Sequence, residues 1–119
     1  MTDKQIASVI NDVKKCTDKI KARGGEVIFV RTPSSGPFLM GETMGFPRDK
    51  YWNQILKITG CEGIHFADYP ETASMQCPEF SHLSVPDAKV YTKHFVEVLS
   101  KQKQWALNVS NSQSSTNNF

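Results

Sequence analysis

Apolar residues recur at helical spacing in three parts of the chain. The first of these segments carries one apolar stripe and opens with Thr2 and Gln5, which fit a capping box. Gly24 and Gly60 follow the first and second segments, where a left-handed residue commonly ends a helix. The pattern therefore predicts helices over residues 2–23, 47–59 and 85–103.

Two short segments lack helical periodicity and are predicted to be strands, residues 26–31 and 64–68. The run 27–30 is apolar without alternation, so both of its faces are expected to be buried, as in a parallel sheet. The segments that follow the strands, 32–46 and 69–83, are predicted to be long loops. The order helix, strand, helix, strand, helix indicates an α/β fold. Two strands alone leave bare edges, so we expect them to belong to a larger sheet.

Composition, net charge and cysteine count limit which domains, partners and cofactors the chain is expected to have. A chain of 119 residues with 39% hydrophobic and 22% charged residues suits one soluble domain, predicted over residues 1–105. The polar stretch 106–119 is predicted to be a disordered tail. A net charge of +2 gives no reason to expect a nucleic-acid or membrane partner, and without a signal or spanning segment we expect a cytoplasmic location. The three cysteines fit no metal or disulfide pattern, so no metal or cofactor is expected.

Polar residues follow both predicted strands. Ligands of open parallel sheets bind beyond the carboxyl ends of the strands, so we expect these side chains to share one rim. The predicted substrate-binding residues are Arg31, Ser34, Ser35 and Glu42. The two serines are better explained as turn formers than as nucleophiles, because a Pro-rich loop follows them instead of a nucleophile elbow.

Glu79 and His82 form the candidate catalytic pair. They lie on a loop just before the last predicted helix, whose N-cap is Ser84. A histidine held there can act as general base, and a carboxylate can orient its second ring nitrogen. By spacing alone, capping or packing of the loop is the better explanation for His82, since E-x-x-H is common by chance.

The segment from about residue 24 to residue 99 resembles the C-terminal part of SGNH (GDSL-type) hydrolases. The matching stretches are Arg31-Thr32-Pro33 at the end of a strand and Glu79-Phe80-Ser81-His82-Leu83-Ser84 before the last helix. The resemblance implies a flavodoxin-like three-layer α/β/α fold, of which this chain would contain only the C-terminal part of the sheet. It also implies esterase or acyl hydrolase activity, with His82 as the base and Glu79 as its acidic partner.

Two departures from the family pattern shape the functional prediction. Glu79 stands where the family has Asp, and the sequence contains neither the Gly-Asp-Ser nucleophile motif nor a Gly-x-Asn-Asp stretch. We therefore expect a C-terminal fragment of an SGNH-type hydrolase that has little activity alone and would act on a small ester only if a missing N-terminal half completed it. The alternatives are a non-catalytic α/β partner-binding module and an inactive remnant. Self-association through an exposed sheet edge is also expected.

Overall fold

The computed structural model describes residues 1–102. These divide into two compact units, residues 1–82 and the part that begins at Leu83. In chain order the elements are α1 (Asp3–Ala22), β1 (Ile28–Arg31), α2 (Gly36–Gly45), α3 (Trp52–Thr59), β2 (Glu62–His65), a 3₁₀ turn (Phe66–Asp68), α4 (Pro70–Ala73) and α5 (Val85–Gln102). The predicted tail 106–119, and the end of the predicted domain at residue 105, lie outside the described residues.

The ends of α1 and α3 agree with the capping signals in the sequence. The Gln5 N–H donates to Thr2 Oγ1 at 3.2 Å, and the Thr2 N–H donates to Gln5 Oε1 at 2.8 Å, so the predicted capping box is confirmed. Gly24, with φ +82°, and Gly60, with φ +68°, take the left-handed conformation expected after a helix. Local sequence chemistry therefore fixes both ends of α1 and the C-terminal end of α3.

The two strands form a parallel sheet, as the element order predicted. Ile28 pairs with Glu62 and Arg31 pairs with His65, so both carboxyl ends lie at the same edge. The expected flavodoxin-like three-layer α/β/α fold is wrong. Residues 1–102 are mostly helical and contain a single sheet of two four-residue strands.

The error has a physical origin. A three-layer fold needs a sheet wide enough to carry helices on both faces, and the lack of alternation in the apolar run 27–30 predicts burial on both faces. In the structure Val30 is 42% exposed, and Ile28 and Phe29 are only half-buried. A short apolar run predicts a strand, but it does not determine how many neighbours that strand has.

Both predicted loops contain helices. Residues 36–45 form α2 after Ser35, with Pro37 in the first turn, where a missing N–H costs least. In the predicted loop 69–83, residues 70–73 form α4. The strand predicted over 64–68 is instead β2 at Glu62–His65, and Phe66–Asp68 form the 3₁₀ turn. The helix predicted from residue 47 begins instead at Trp52, after a turn in which the Lys50 and Tyr51 N–H groups donate to the Pro47 carbonyl.

Helix α3 contacts both α1 and β2. Lys21 Nζ at the end of α1 donates to the Thr59 carbonyl at 2.7 Å, which satisfies one of the unpaired carbonyls at the end of α3. On β2, a Cβ atom at Gly63 would lie 2.6 Å from Trp52 Cζ2 and 2.9 Å from the Leu56 methyl groups. Because Gly63 has no side chain, α3 can pack directly on β2. This packing places Trp52 near the carboxyl ends of the two strands.

The second unit contributes α5 to the described chain. The Asp87 N–H lies 3.4 Å from Ser84 Oγ, which places Ser84 as the cap that the sequence predicted. Helix α5 spans Val85–Gln102, and its predicted end at residue 103 lies outside the described residues. Among residues 1–102, no helix combines the length and apolar character needed to cross a membrane.

Candidate functional site

The segments that follow the two strands contact each other through Ser35. The Ser35 N–H donates to the Phe80 carbonyl at 3.0 Å, and the Cys77 N–H donates to Ser35 Oγ at 2.8 Å. Ser35 and Cys77 are both almost fully buried. Ser35, predicted to bind substrate, therefore uses its hydroxyl to join the loop after β1 to the loop that carries Glu79 and His82.

Phe80 anchors the turn formed by residues 79–82. Its φ of +77° is unusual for a residue with a side chain, and such strain persists only where surrounding contacts stabilise it. Those contacts come from the start of α2. The Phe80 ring lies edge-on to Phe38 at 6.0 Å between centroids, and a Cβ atom at Gly36 would meet the ring at 2.7 Å. The turn is consequently held to α2 by packing as well as through Ser35.

Within this turn, the side chains of Glu79, Ser81 and His82 form one hydrogen-bonded group. Glu79 Oε1 lies 2.9 Å from His82 Nδ1, and Ser81 Oγ donates to Glu79 Oε2 at 2.9 Å. Ser81 Oγ is also 2.9 Å from His82 Nδ1. The Ser81 hydrogen bond and, after it, those from His82 lower the pKa of the Glu79 carboxyl below its usual range. Glu79 is therefore a carboxylate at neutral pH.

The second ring nitrogen of His82 points away from these bonds. A carboxylate at Nδ1 favours the tautomer with its proton on Nδ1, which leaves the lone pair on Nε2. The His82 side chain is 83% exposed, so Nε2 is accessible to a group that approaches from outside the turn. The arrangement can accept a proton at Nε2 and stabilise the resulting imidazolium through Glu79.

Arg31, Ser34 and Glu42 form a second cluster. Arg31 forms an ion pair with Glu42, and Ser34 Oγ donates to Glu42 Oε2 at 2.7 Å while accepting from Arg31 at 3.0 Å. Three of the four predicted substrate-binding residues thus contact one another. The Ser34 hydroxyl donates to a carboxylate and has no imidazole among its described partners, so it lacks a base that would activate it as a nucleophile.

An apolar cavity lies where both strands end. Arg31 and His65, the last paired residues of β1 and β2, are part of its lining, together with side chains from α2 and α3. Its aromatic walls include Phe46, Tyr51 and Trp52. Of the four predicted substrate-binding residues, only Arg31 and Glu42 line this cavity, and its largest side chains are aromatic residues that we did not predict to bind a ligand.

Ionic contacts border this cavity. Arg48 donates two parallel hydrogen bonds to the Asp68 carboxylate, at 2.7 and 2.8 Å. The Arg48 hydrogen bond is the main reason that the pKa of Asp68 falls below its ordinary value, and the same bond raises the pKa of Arg48. Burial, followed by the charge of Arg48, lowers the pKa of His65. The cavity therefore has a neutral imidazole beside two paired guanidinium groups.

Sequence reasoning also missed Ser81. Its position between Glu79 and His82 was visible, but nothing in the spacing indicates that its hydroxyl bridges the two side chains. For Tyr51 and Trp52 the available signal was an aromatic pair at the start of a helix, which is more often core than ligand surface. The position of Tyr51 and Trp52 in the wall of the cavity depends on the packing of α3 against β2 at Gly63.

The structure gives no sign of a metal centre within residues 1–102, where no three His, Cys, Asp or Glu side chains cluster suitably. No hydrogen bond or ion pair between described residues connects the 79–82 turn directly to the cluster of Arg31, Ser34 and Glu42. In comparisons with known proteins, no family model, no curated protein and no solved structure matches the chain. A functional proposal must therefore rest on the geometry of its own residues.

Proposed function

We propose that the 79–82 turn is the histidine–carboxylate half of a serine esterase or acyl hydrolase site of SGNH type. His82 is the general base and Glu79 is the acidic partner that orients it. The observation that supports this proposal is the 2.9 Å contact between Glu79 Oε1 and His82 Nδ1, with Nε2 left exposed. In serine hydrolases a carboxylate at Nδ1 and a free Nε2 are what the base needs to take the proton of a serine hydroxyl.

Ser81 supports the pair but is a poor candidate for the nucleophile. Its hydroxyl donates to Glu79 and lies on the Nδ1 side of the imidazole, so Nε2 does not face it. The hydrogen bond instead holds the Glu79 carboxylate in position. The nucleophilic serine would have to reach Nε2 from another segment or another chain, since the sequence has no Gly-Asp-Ser motif.

A second candidate function is partner binding without catalysis. The observation that favours it is the exposed apolar surface of α2 and the residue after it. Each of the following side chains is more than half exposed: Phe38, Met40 and Met44 on α2, and Phe46 directly after α2. Val30 adds an exposed side chain on β1, whose second edge pairs with no strand among residues 1–102. This function does not require His82.

Ester hydrolysis by the isolated chain tests the catalytic proposal. We expect slow hydrolysis of p-nitrophenyl acetate at neutral pH, with water as the nucleophile and His82 as the base. His82→Ala should remove the protein-dependent rate, and Glu79→Gln should reduce it by about 10-fold or more, because general base catalysis contributes roughly 10²-fold or more. A solvent deuterium isotope effect well above unity would identify proton transfer, whereas direct attack by the imidazole gives almost none.

Glu71→Gln is the matched control. Glu71 is an exposed carboxylate in the first turn of α4, and the same substitution there should leave the rate unchanged. Efficient hydrolysis by the native chain that is unaffected in His82→Ala would contradict the proposal. A normal rate in Glu79→Gln with a reduced rate in His82→Ala would remove Glu79 from its role and leave His82 in place.

A further inference from the structure

The cavity at the carboxyl ends of β1 and β2 has the dimensions of a small-molecule site. Its volume is about 600 Å³, and ligand cavities commonly fall between roughly 300 and 1,000 Å³. All of its lining residues lie between positions 31 and 73, within the first compact unit. The 79–82 turn contributes no side chain to it, so it is distinct from the candidate catalytic pair.

The walls of the cavity favour an apolar ligand with a flat body. Leu39 on α2 and Phe46, which directly follows the last residue of α2, both line the cavity. Tyr51 and Trp52 line it from the start of α3. The Phe46 and Tyr51 rings meet edge-on at 5.2 Å between centroids. Trp52 lies so close to Gly63 of β2 that no side chain fits between them. These rings provide apolar faces and edges against which an aromatic ligand would pack.

The charged groups of the lining are already paired. Arg31 is bound by Glu42, and its guanidinium lies 5.6 Å from the centre of the Phe66 ring. Arg48 is bound on two of its nitrogens by Asp68. A charged ligand would therefore lose its hydration without meeting an unpaired opposite charge, which is costly in an apolar site.

His65 supplies a hydrogen-bond donor. Its Nδ1 accepts the Ala67 N–H at 3.2 Å, so the neutral ring carries its proton on Nε2. Trp52 lies edge-on to the imidazole and Phe66 stacks on it, each at 5.2 Å between centroids, which fixes the ring plane. The pKa of His65 is lowered mainly by burial, so the ring stays neutral at pH 7. A donor held in this way suits a carbonyl oxygen.

We propose that this cavity binds an uncharged, mainly aromatic small molecule that carries one hydrogen-bond acceptor, which the Nε2–H group of His65 contacts. The proposal goes beyond the esterase function and does not depend on it, because binding requires neither His82 nor a nucleophile. A failure of one proposal therefore leaves the other standing.

Three naphthalene compounds test the ligand class on the full chain. They are 2-acetylnaphthalene, which is neutral and has an acceptor, 2-ethylnaphthalene, which lacks the acceptor, and the 2-naphthoate anion. Titrations followed by the indole N–H signal of Trp52 in ¹H–¹⁵N spectra give both the affinity and the location. The ketone should bind about 3- to 10-fold more tightly than the hydrocarbon, although it is less apolar. Naphthoate should bind about 10-fold more weakly than the ketone, or not at all.

Two threonines provide a matched pair of variants. Thr43 lines the cavity, and its hydroxyl donates to the carbonyl four residues earlier on α2, at 2.7 Å. Thr92 on α5 makes the same contact with Ala88 at 2.8 Å and is likewise exposed. Thr43→Phe should weaken binding of the ketone by about 10-fold or more because it fills the cavity. Thr92→Phe should leave binding unchanged, and circular dichroism checks that both variants fold.

His65→Phe tests the donor. A planar aromatic ring is kept, but Nε2–H is lost together with the Nδ1 acceptor of the Ala67 N–H. The preference for the ketone over the hydrocarbon should therefore disappear while the hydrocarbon still binds. The proposal is overturned if naphthoate binds as tightly as the ketone, if Thr43→Phe and Thr92→Phe bind equally, or if the Trp52 signal does not move with any compound. It is also overturned if His65→Phe keeps the native preference for the ketone.

Discussion

Replacing Gly63 by alanine should destabilise the first unit and disturb Trp52. The added Cβ atom would lie 2.6 Å from Trp52 Cζ2 and 2.9 Å from both Leu56 methyl groups, closer than Cβ atoms approach other atoms in proteins. Leu56 can rotate away, but the indole is rigid and must shift as a whole. Because Gly63 has an ordinary φ, the penalty is steric and not conformational.

The expected magnitude combines two opposing effects. Forcing an extra carbon into a packed interface typically costs about 1–3 kcal/mol. Removing a glycine from the unfolded chain returns about 0.4–1 kcal/mol by lowering its conformational entropy. We therefore expect Gly63→Ala to lower the free energy of unfolding by about 1–2 kcal/mol, as measured by urea unfolding followed by circular dichroism.

Gly41→Ala is the control for the same substitution. Gly41 lies inside α2 with an ordinary φ, and nothing comes within 4 Å of the position that a Cβ atom would take. Alanine there should raise the free energy of unfolding by up to about 1 kcal/mol, because glycine is a poor helix former. If Gly63→Ala were as stabilising as Gly41→Ala, the close contact of α3 with β2 would be wrong, and so would the positioning of Trp52 at the cavity.

Two further predictions concern the charged and apolar surfaces. Asp68→Asn removes the pair with Arg48. Because that pair lowers the pKa of Asp68, it stabilises the protein above about pH 4 and is lost as the pH falls through the lowered value. Both side chains are more than 40% exposed, so the difference in unfolding free energy should be at most about 1 kcal/mol at pH 7. This difference in unfolding free energy should vanish in strong acid. A difference that grows as the pH falls would contradict the prediction. The double substitution Met40→Lys and Met44→Lys should reduce concentration-dependent association in sedimentation velocity, and unchanged association would rule out α2 as the contact surface.

The sequence predicted much of the candidate catalytic pair and little of the cavity. Glu79 and His82 are three residues apart, so a single tight turn brings them together. Spacing alone did not select them, because E-x-x-H is common by chance; their place before the last helix and the resemblance to SGNH hydrolases did. Their catalytic role stays a prediction. The cavity draws on α2, α3 and both strands, and its aromatic walls meet only after α3 has packed on Gly63. Ser34 and Ser35 were selected as a pair, yet one contacts Glu42 and the other holds Cys77.

By itself the sequence determined the features that depend on neighbours a few residues away. These are the capping box of α1, the glycine ends of α1 and α3, the start of α5 at Ser84 and the parallel direction of two strands separated by helices. Tertiary structure decided the width of the sheet, the helical state of residues 36–45 and the burial of each face. Capping and turn geometry are local and have strong residue preferences, whereas the number of layers depends on contacts between distant segments, which no short window of sequence contains.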